Sequence, residues 1–470
     1  MGYGACGMER RDGMRTWFQA MAVVATGLIT APMASGETLT DALIAAYNTS
    51  NLLDQNRAVL RAADEDVAIA VSSLRPVISY TAQAGWRKAD VQGATGVAVV
   101  EGLSSSLTLS AELTLLDFGR SRFGIEIARA SVLATREALV NVEQQVLLAA
   151  VQAYVDVRLS SEVVALRNSN LRLITQELRA AQDRFDVGEI TRTDVAIAEA
   201  RLAASRSALA AAEGQLMVAR EAYKAATGAY PGRLAALPAA PKIPRTMDDA
   251  QNVARKTHPQ IRQAQQLVTI ADFQVELAKA SMKPTLGAGL SVSRDNDGLD
   301  TQSFGLTLNQ TLYAGGRLSA LYRQTLAGKD QARAGLQQTV VGILQNVGVA
   351  WANLAVSAAS IEASDRQIRA SQTAFDGVRE EAALGARTTL DVLDAEQELL
   401  DARNARLEAE AQRYVGVYQV LSSMGLLTVD HLQLGIPTYD PEAYFDAVKN
   451  APATSAQGKK LDRILNKIGN

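Results

Sequence analysis

The sequence predicts an α+β membrane protein in which one long structural unit occurs twice. Three observations carry that fold class. The chain repeats itself at a fixed offset of 197 positions. Each copy contains two segments of strict apolar–polar alternation. Each alternating pair precedes a helix too long for a globule, and a return helix follows. Leu115, Gly119 and Arg120 recur as Leu312, Gly316 and Arg317; Gly188, Thr191, Asp194 and Ala198-Glu199 recur as Gly385, Thr388, Asp391 and Ala395-Glu396; Gly228 recurs as Gly425. Such a register means that a unit was duplicated and neither copy could change its length.

The N-terminal segment, residues 1–36, reads as a signal peptide. Arg10, Arg11 and Arg15 precede an apolar stretch from Trp17 to Thr30, and Ala34-Ser35-Gly36 offers a small-residue cleavage site. Of 470 residues, 48% are hydrophobic and 21% charged, so a core is within reach and disorder is not expected. A net charge of -3 gives no electrostatic case for nucleic acid. Two histidines and the single Cys6 cannot assemble a Cys/His metal site, and one cysteine cannot close a disulfide within the chain. No Gly-rich phosphate loop or nucleophile–base pair is present, so neither a cofactor nor an enzyme is expected. Beyond the signal no apolar run approaches about 18 residues, so no transmembrane helix is expected. A membrane crossing would have to be made by strands.

The first structural repeat, residues 37–230, opens with a helix that ends before Pro76. Strands follow at 77–87 and 104–116. Ile78, Tyr80, Ala82, Ala84 and Trp86 alternate with polar or small residues, as do Leu107, Leu109, Ala111, Leu113 and Leu115. A helical hairpin spans 119–228. Pro231, Pro238, Pro241 and Pro244 mark a linker at 231–245. The second repeat, 246–428, has its own helix, strands at 285–294 and 302–313, and a hairpin at 316–425. Pro284 corresponds to Pro76 at an offset of 208, because the first strand pair is longer. Residues 429–470 form a tail without strong periodicity. Four strands cannot close a barrel, and lipid does not tolerate open sheet edges. If they span a membrane, several chains must share one barrel.

From Arg120 to Asp186 there is no proline, and the only glycine is Gly124. Such a helix is roughly 100 Å long. The return helices carry sevenfold spacing: Val195, Leu202, Leu209, Leu216 and Tyr223, then Leu393, Leu400, Leu407, Tyr414 and Leu421. In the turns between long and return helices, Gly188 and Gly385 suit a left-handed helix end. Thr191 with Asp194, and Thr388 with Asp391, fit capping boxes that restart the helix.

The duplicated unit, the Phe185–Gly188 turn, the Gly385–Asp394 run and the Leu312–Arg317 segment together resemble the TolC family of outer-membrane efflux and type I secretion channels. The resemblance implies a homotrimer with a 12-stranded barrel among outer-membrane lipid, four strands per protomer. A periplasmic α-helical coiled-coil barrel would continue it. Its partners would be a periplasmic adaptor (membrane fusion protein) and an inner-membrane pump. The tips at Val187, Gly188, Leu384 and Gly385 would meet the adaptor. Asp194 and Arg387 match constriction residues of that family, and Asp391 and Asp394 match its acidic rings. Capping alone accounts for Asp194 and Asp391, whereas Asp394 has no capping role. Ala382 stands where the family pattern has an aromatic constriction residue. A periplasmic coiled-coil scaffold or adhesin without a pore is the alternative.

Overall fold

The computed structural model describes residues 36–450 except 94, 95 and 297, together with Arg463. The expected signal, residues 1–36, lies outside the described residues apart from Gly36. The chain runs α1 (Leu39–Thr49), α2 (Asn51–Ser72), β1 (Val77–Gly93), β2 (Gly96–Leu116), α3 (Arg120–Asp186) and α4 (Arg192–Thr227). It then repeats that order as α5 (Met247–Thr257), α6 (Pro259–Ala280), β3 (Thr285–Asp295), β4 (Asp300–Asn309), α7 (Arg317–Ala383) and α8 (Thr389–Ser423). A short α9 (Pro441–Val448) follows.

Caps explain why each early helix region is two helices rather than the single one expected. Thr38 accepts from the Asp41 amide to start α1, and Thr246 accepts from the Asp249 amide to start α5. Ser50 caps α2; in the copy His258 caps α6, its Nδ1 accepting from the Gln260 amide at 3.2 Å. His258 is buried, and burial lowers its pKa to about 4, which keeps the ring neutral and able to accept. Every pair here is related by the 208 offset. The helices α3 and α7 have 67 residues each, which makes them about 100 Å long. Both begin at a left-handed glycine, Gly119 (φ 95°) and Gly316 (φ 86°).

The four strands form one antiparallel sheet in the order β1-β2-β3-β4. Register places Tyr80 beside Leu109 and Leu109 beside Val292; Leu290 lies beside Phe304. One face is therefore continuously apolar and solvent-exposed: Ile78 is 71% exposed, Phe304 74% and Leu308 66%. The opposite face is hydroxyl-rich. Ser79, Ser110, Ser291 and Ser303 form one row across all four strands, with hydroxyl pairs at 2.7 Å.

The strand bounds differ from those read from the sequence. Residues 88–93 and 96–103, expected as loop, continue the first hairpin, and Lys88 pairs with Glu101 across it at 3.0 Å. Charged and glycine residues break the alternation beyond Trp86, but a backbone ladder needs no alternation. β4 ends at Asn309 rather than at 313, because its ladder partner β3 begins at Thr285, just after Pro284.

The main core lies at the middle of α3 and the last turns of α4 and α8, wrapped by α1, α5 and the proline linker. Tyr154 is fully buried and donates to the carbonyls of Glu37 and Ala235 at 3.0 and 2.9 Å, which ties the first described residues to the linker. Heptad positions Leu202, Tyr223, Leu393, Leu400 and Leu421 are buried as their spacing predicts. One difference concerns α7, which contains an 18-residue window of mean hydropathy 1.4 with only 17% of it buried. No apolar run was visible there because Gln, Asn, Gly and Ser interleave its valines. Ile343, Val347 and Ala350 join the main core, but Val341, Val349 and Val356 are left uncovered by this chain.

The return helices end alike. Thr49 donates to the Thr227 carbonyl and Thr257 to the Met424 carbonyl, at 3.0 and 2.7 Å. Gly228 and Gly425 follow with φ 85° and 78°. A Cβ on Gly425 would stand 2.6 Å from the His258 Cα, whereas one on Gly385 would meet nothing. Gly425→Ala is therefore expected to cost about 3 kcal/mol or more, and Gly385→Ala only the left-handed strain of about 1 kcal/mol. Thermal unfolding of the two variants in detergent, followed by far-ultraviolet circular dichroism, checks the contrast.

Candidate pore and docking site

Both tips are built by the same local chemistry. α3 and α7 stop where Gly188 (φ 84°) and Gly385 (φ 79°) turn the chain left-handed. The amide of Glu189 returns to the Arg184 carbonyl, and that of Ala386 to the Glu381 carbonyl, both at 2.9 Å. Thr191–Asp194 and Thr388–Asp391 then form full capping boxes, with each carboxylate accepting from a threonine amide at 2.9 Å. These bonds hold both carboxyls below the usual aspartate range. Val187 is 72% exposed and Leu384 86%, so each tip presents one apolar side chain beside a glycine with open space around it. The Arg184 guanidinium donates to the Ala382 carbonyl at 3.4 Å and links the two tips. Ala382 itself is buried, with Phe375, Val392 and Leu399.

The remaining expected site residues sit in ion pairs. Arg387 pairs with Glu381 at 2.8 Å beside the second tip. Asp394 pairs with Arg201, which joins α8 to α4. Arg201 was not singled out in the sequence, because nothing marks it among the many arginines of the return helices. Asp394 and its partner are both partly exposed, so the pair contributes little to stability. The Asp394 side chain is 56% exposed, so it meets water as well as Arg201.

One further acidic residue was missed. Glu396, two residues beyond Asp394, is buried, and its Oε1 accepts from the Asn170 amide on α3 at 2.6 Å, while its Oε2 has no partner. Ser205 of α4 donates to Asn170 at 3.2 Å. Glu177 of α3 and Arg379 of α7 act on it electrostatically, and Gln372 and Arg403 line the adjoining cavity of about 260 Å³. Its equivalent in the first repeat, Glu199, is exposed.

The chain matches the outer membrane efflux protein family twice, over residues 45–229 and 251–426. It is 36% identical to the outer membrane efflux protein BepC of Brucella suis biovar 1 (strain 1330) over 441 residues, covering 92% of this chain and 95% of that protein. It is 26% identical to the proteases secretion protein PrtF of Dickeya chrysanthemi, covering 76% and 82% of the two chains. The fold is that of the CmeC outer membrane channel of Campylobacter jejuni, with a TM-score of 0.73 at 15% identity over 88% of this chain and 90% of that one.

Burial raises the Glu396 carboxyl from its usual 4.5 to about 7. The folded protein thus keeps a proton that the unfolded chain has released, and stability falls as pH rises between those values. Glu396→Gln is expected to match the wild type at pH 4. At pH 8 it should be more stable by about 1–3 kcal/mol. Thermal unfolding at the two pH values measures the difference.

Proposed function

This chain belongs to the outer membrane efflux protein family, and from that premise we propose that three copies form the outer-membrane exit duct of a tripartite export system. The protein is an outer-membrane component of the efflux and type I secretion class, and its relatives are channel proteins. One observation carries the rest of the reading. A sheet with an exposed apolar face and two free edges, β1 and β4, continues into helical hairpins about 100 Å long. Lipid can cover that face, but it cannot satisfy the edges, so other copies must. Twelve strands then make the barrel, and the hairpins carry its lumen through the periplasm. Residues 1–36 direct export and are removed.

The duct has no enzymatic activity in this reading; it is a passive conduit. The tips at Val187, Gly188, Leu384 and Gly385 dock a periplasmic adaptor, which connects to an inner-membrane pump. Their support is the exposure of Val187 and Leu384 on short, firmly capped turns. Asp194, Arg387, Asp391 and Asp394 lie in the turns and first helical residues beside the tips, where a threefold pore would narrow. Asp194 and Asp391 serve chiefly to fix the helix starts. Asp394, on the next turn of α8, supplies the ring charge, which would attract cations. The Brucella relative is named for efflux and the Dickeya relative for secretion of proteases; both uses need the same passive duct.

The membrane-extracted protein is expected to migrate as a trimer in mild detergent; a monomer in the soluble periplasm would refute the reading. Asp394→Ala is expected to lower the preference for cations over anions in planar bilayers, read as a reversal potential shifted toward zero in a salt gradient. Gly385→Arg is expected to leave the trimer intact and to abolish adaptor cross-linking and export. Normal export by that variant removes the tip assignment.

A further inference from the structure

The junction between strand and long helix occurs twice in the chain, but among the described residues its arginine side chain is engaged at only one of the two. In the first, Arg120 follows β2 at the start of α3. Its Nε donates to the Ala280 carbonyl and its guanidinium to the Ser281 carbonyl, both at 3.1 Å, and it also bonds the Lys283 carbonyl. These are the last carbonyls of α6 and the turn into β3, groups a helix end leaves without internal partners. One arginine thus fastens the first repeat to the second at the foot of the β2–β3 seam.

The second junction has the same backbone. Arg317 follows Gly316 (φ 86°) as Arg120 follows Gly119 (φ 95°), and Gly315 (φ 59°) repeats the left-handed Phe118 (φ 53°). The turn bonds coincide: the Arg120 amide to Asp117 and the Arg317 amide to Ala314, the Phe123 amide to Gly119 and the Ala320 amide to Gly316. Yet Arg317 is exposed, and its guanidinium makes no hydrogen bond or ion pair among the described residues. The carbonyl cradle is duplicated too. At the 208 offset, Ala280, Ser281 and Lys283 correspond to Ser72, Ser73 and Arg75 at the end of α2. There the Leu74 amide bonds Val71 and the Arg75 amide bonds Ser72, as Met282 bonds Lys279 and Lys283 bonds Ala280. So the chain holds a second arginine without its cradle, and at Ser72 and Ser73 a second helix end whose carbonyls accept from no arginine side chain among the described residues. They lie at opposite edges of the sheet, beside β4 and β1, so they cannot meet within one copy.

We propose that Arg317 of one copy donates to the Ser72 and Ser73 carbonyls of the neighbouring copy, and so clamps each seam where the barrel meets the helices. This rests on the reading that copies share one barrel, and it specifies the contact that closes it. Two independent features agree. First, α3 packs on both α2 and α6, with Ile125, Ala130, Val132 and Ala134 buried, whereas α7 buries no residue before Ile343. The missing cover for α7 is a second α2. Second, carrying the β2–β3 register across by the same two offsets sets Phe304 beside Trp86, Leu306 beside Ala84 and Tyr313 beside Ile78. The apolar face stays unbroken across the seam, and Tyr313, 87% exposed here, gains an apolar neighbour.

The test uses the full-length protein, extracted from membranes, with Cys6→Ser as background. Cysteines replacing Ser319 and Ser73 are joined by a short bismaleimide. Its length is chosen as the one that closes the equivalent pair, Arg122→Cys with Ser281→Cys, inside a single chain. The Ser319→Cys, Ser73→Cys pair is expected to yield covalent dimers and trimers and no intrachain loop. Arg317→Ala is expected to lower the temperature at which the trimer dissociates by about 5 °C or more, with Arg317→Lys intermediate. If the wild type is a trimer, but the interchain product is absent or Arg317→Ala dissociates at the wild-type temperature, the clamp is overturned and the shared barrel stands. If the wild type itself is monomeric, the shared barrel falls first and the clamp with it.

Discussion

The unpaired backbone at two strand edges governs this molecule. β1 and β4 each bond a neighbour on one side only, and the apolar face that spans them suits the strands to lipid. Hydrocarbon offers nothing to a free amide or carbonyl, each of which costs several kcal/mol if left bare. An isolated chain could hide the oily face in a detergent micelle, yet its edges would still seek strands. The hydroxyl rows on the other face, with Glu112 and Asp295 among them, follow from the same constraint: once the sheet curls, that face lines water, and hydroxyls and carboxylates remain hydrated there.

Duplication turns that constraint into an assembly rule. A repeat that packs on its successor within the chain carries the surface to pack on its successor in the next chain. The two copies are not equal, however. Ala198-Glu199 and Ala395-Glu396 are the same motif in sequence, but Glu396 lies buried against Asn170, and Glu199 is exposed. The residue equivalent to Asn170 in the second repeat is Gln367, which carries the same amide one methylene farther from the backbone. The C-terminal segment breaks the symmetry again. Arg57 lies between the rings of Tyr47 and Tyr439, and Arg136 lies over Phe445 and bonds Glu442, which lays α9 across α2 and α3 of the first repeat.

Features set by local chemistry were legible in the sequence. Thr191–Asp194 and Thr388–Asp391 could be read as capping boxes because a box needs only residues three apart. The sheet face could be read because alternation is a property of each strand alone. Features set by tertiary partners were not. The extension of β1 and β2 past Trp86 depends on ladder bonds between backbones, which leave no side-chain pattern. The Arg201–Asp394 pair depends on how α4 lies beside α8, and Glu396 reads as one more surface acid until α3 brings Asn170 to it. α9 has eight residues, too few for a periodic signal, and two distant arginines anchor it.

The tips follow from the same division between local and tertiary control. A turn at the end of a helix about 100 Å long cannot depend on a large core, because only two hairpins converge there. Its shape has to come from bonds within a few residues: a left-handed glycine, a return amide and a capping box. Each tip is then rigid within itself, while the two are joined mainly by Arg184 reaching the Ala382 carbonyl and by the thin clusters around Leu393 and Phe375. In the proposed reading, a partner that grips the tips meets rigid ends on a lightly tied pair of hairpins. The ties it would strain first are the Arg184 and Arg201 contacts, which hold no buried core between them.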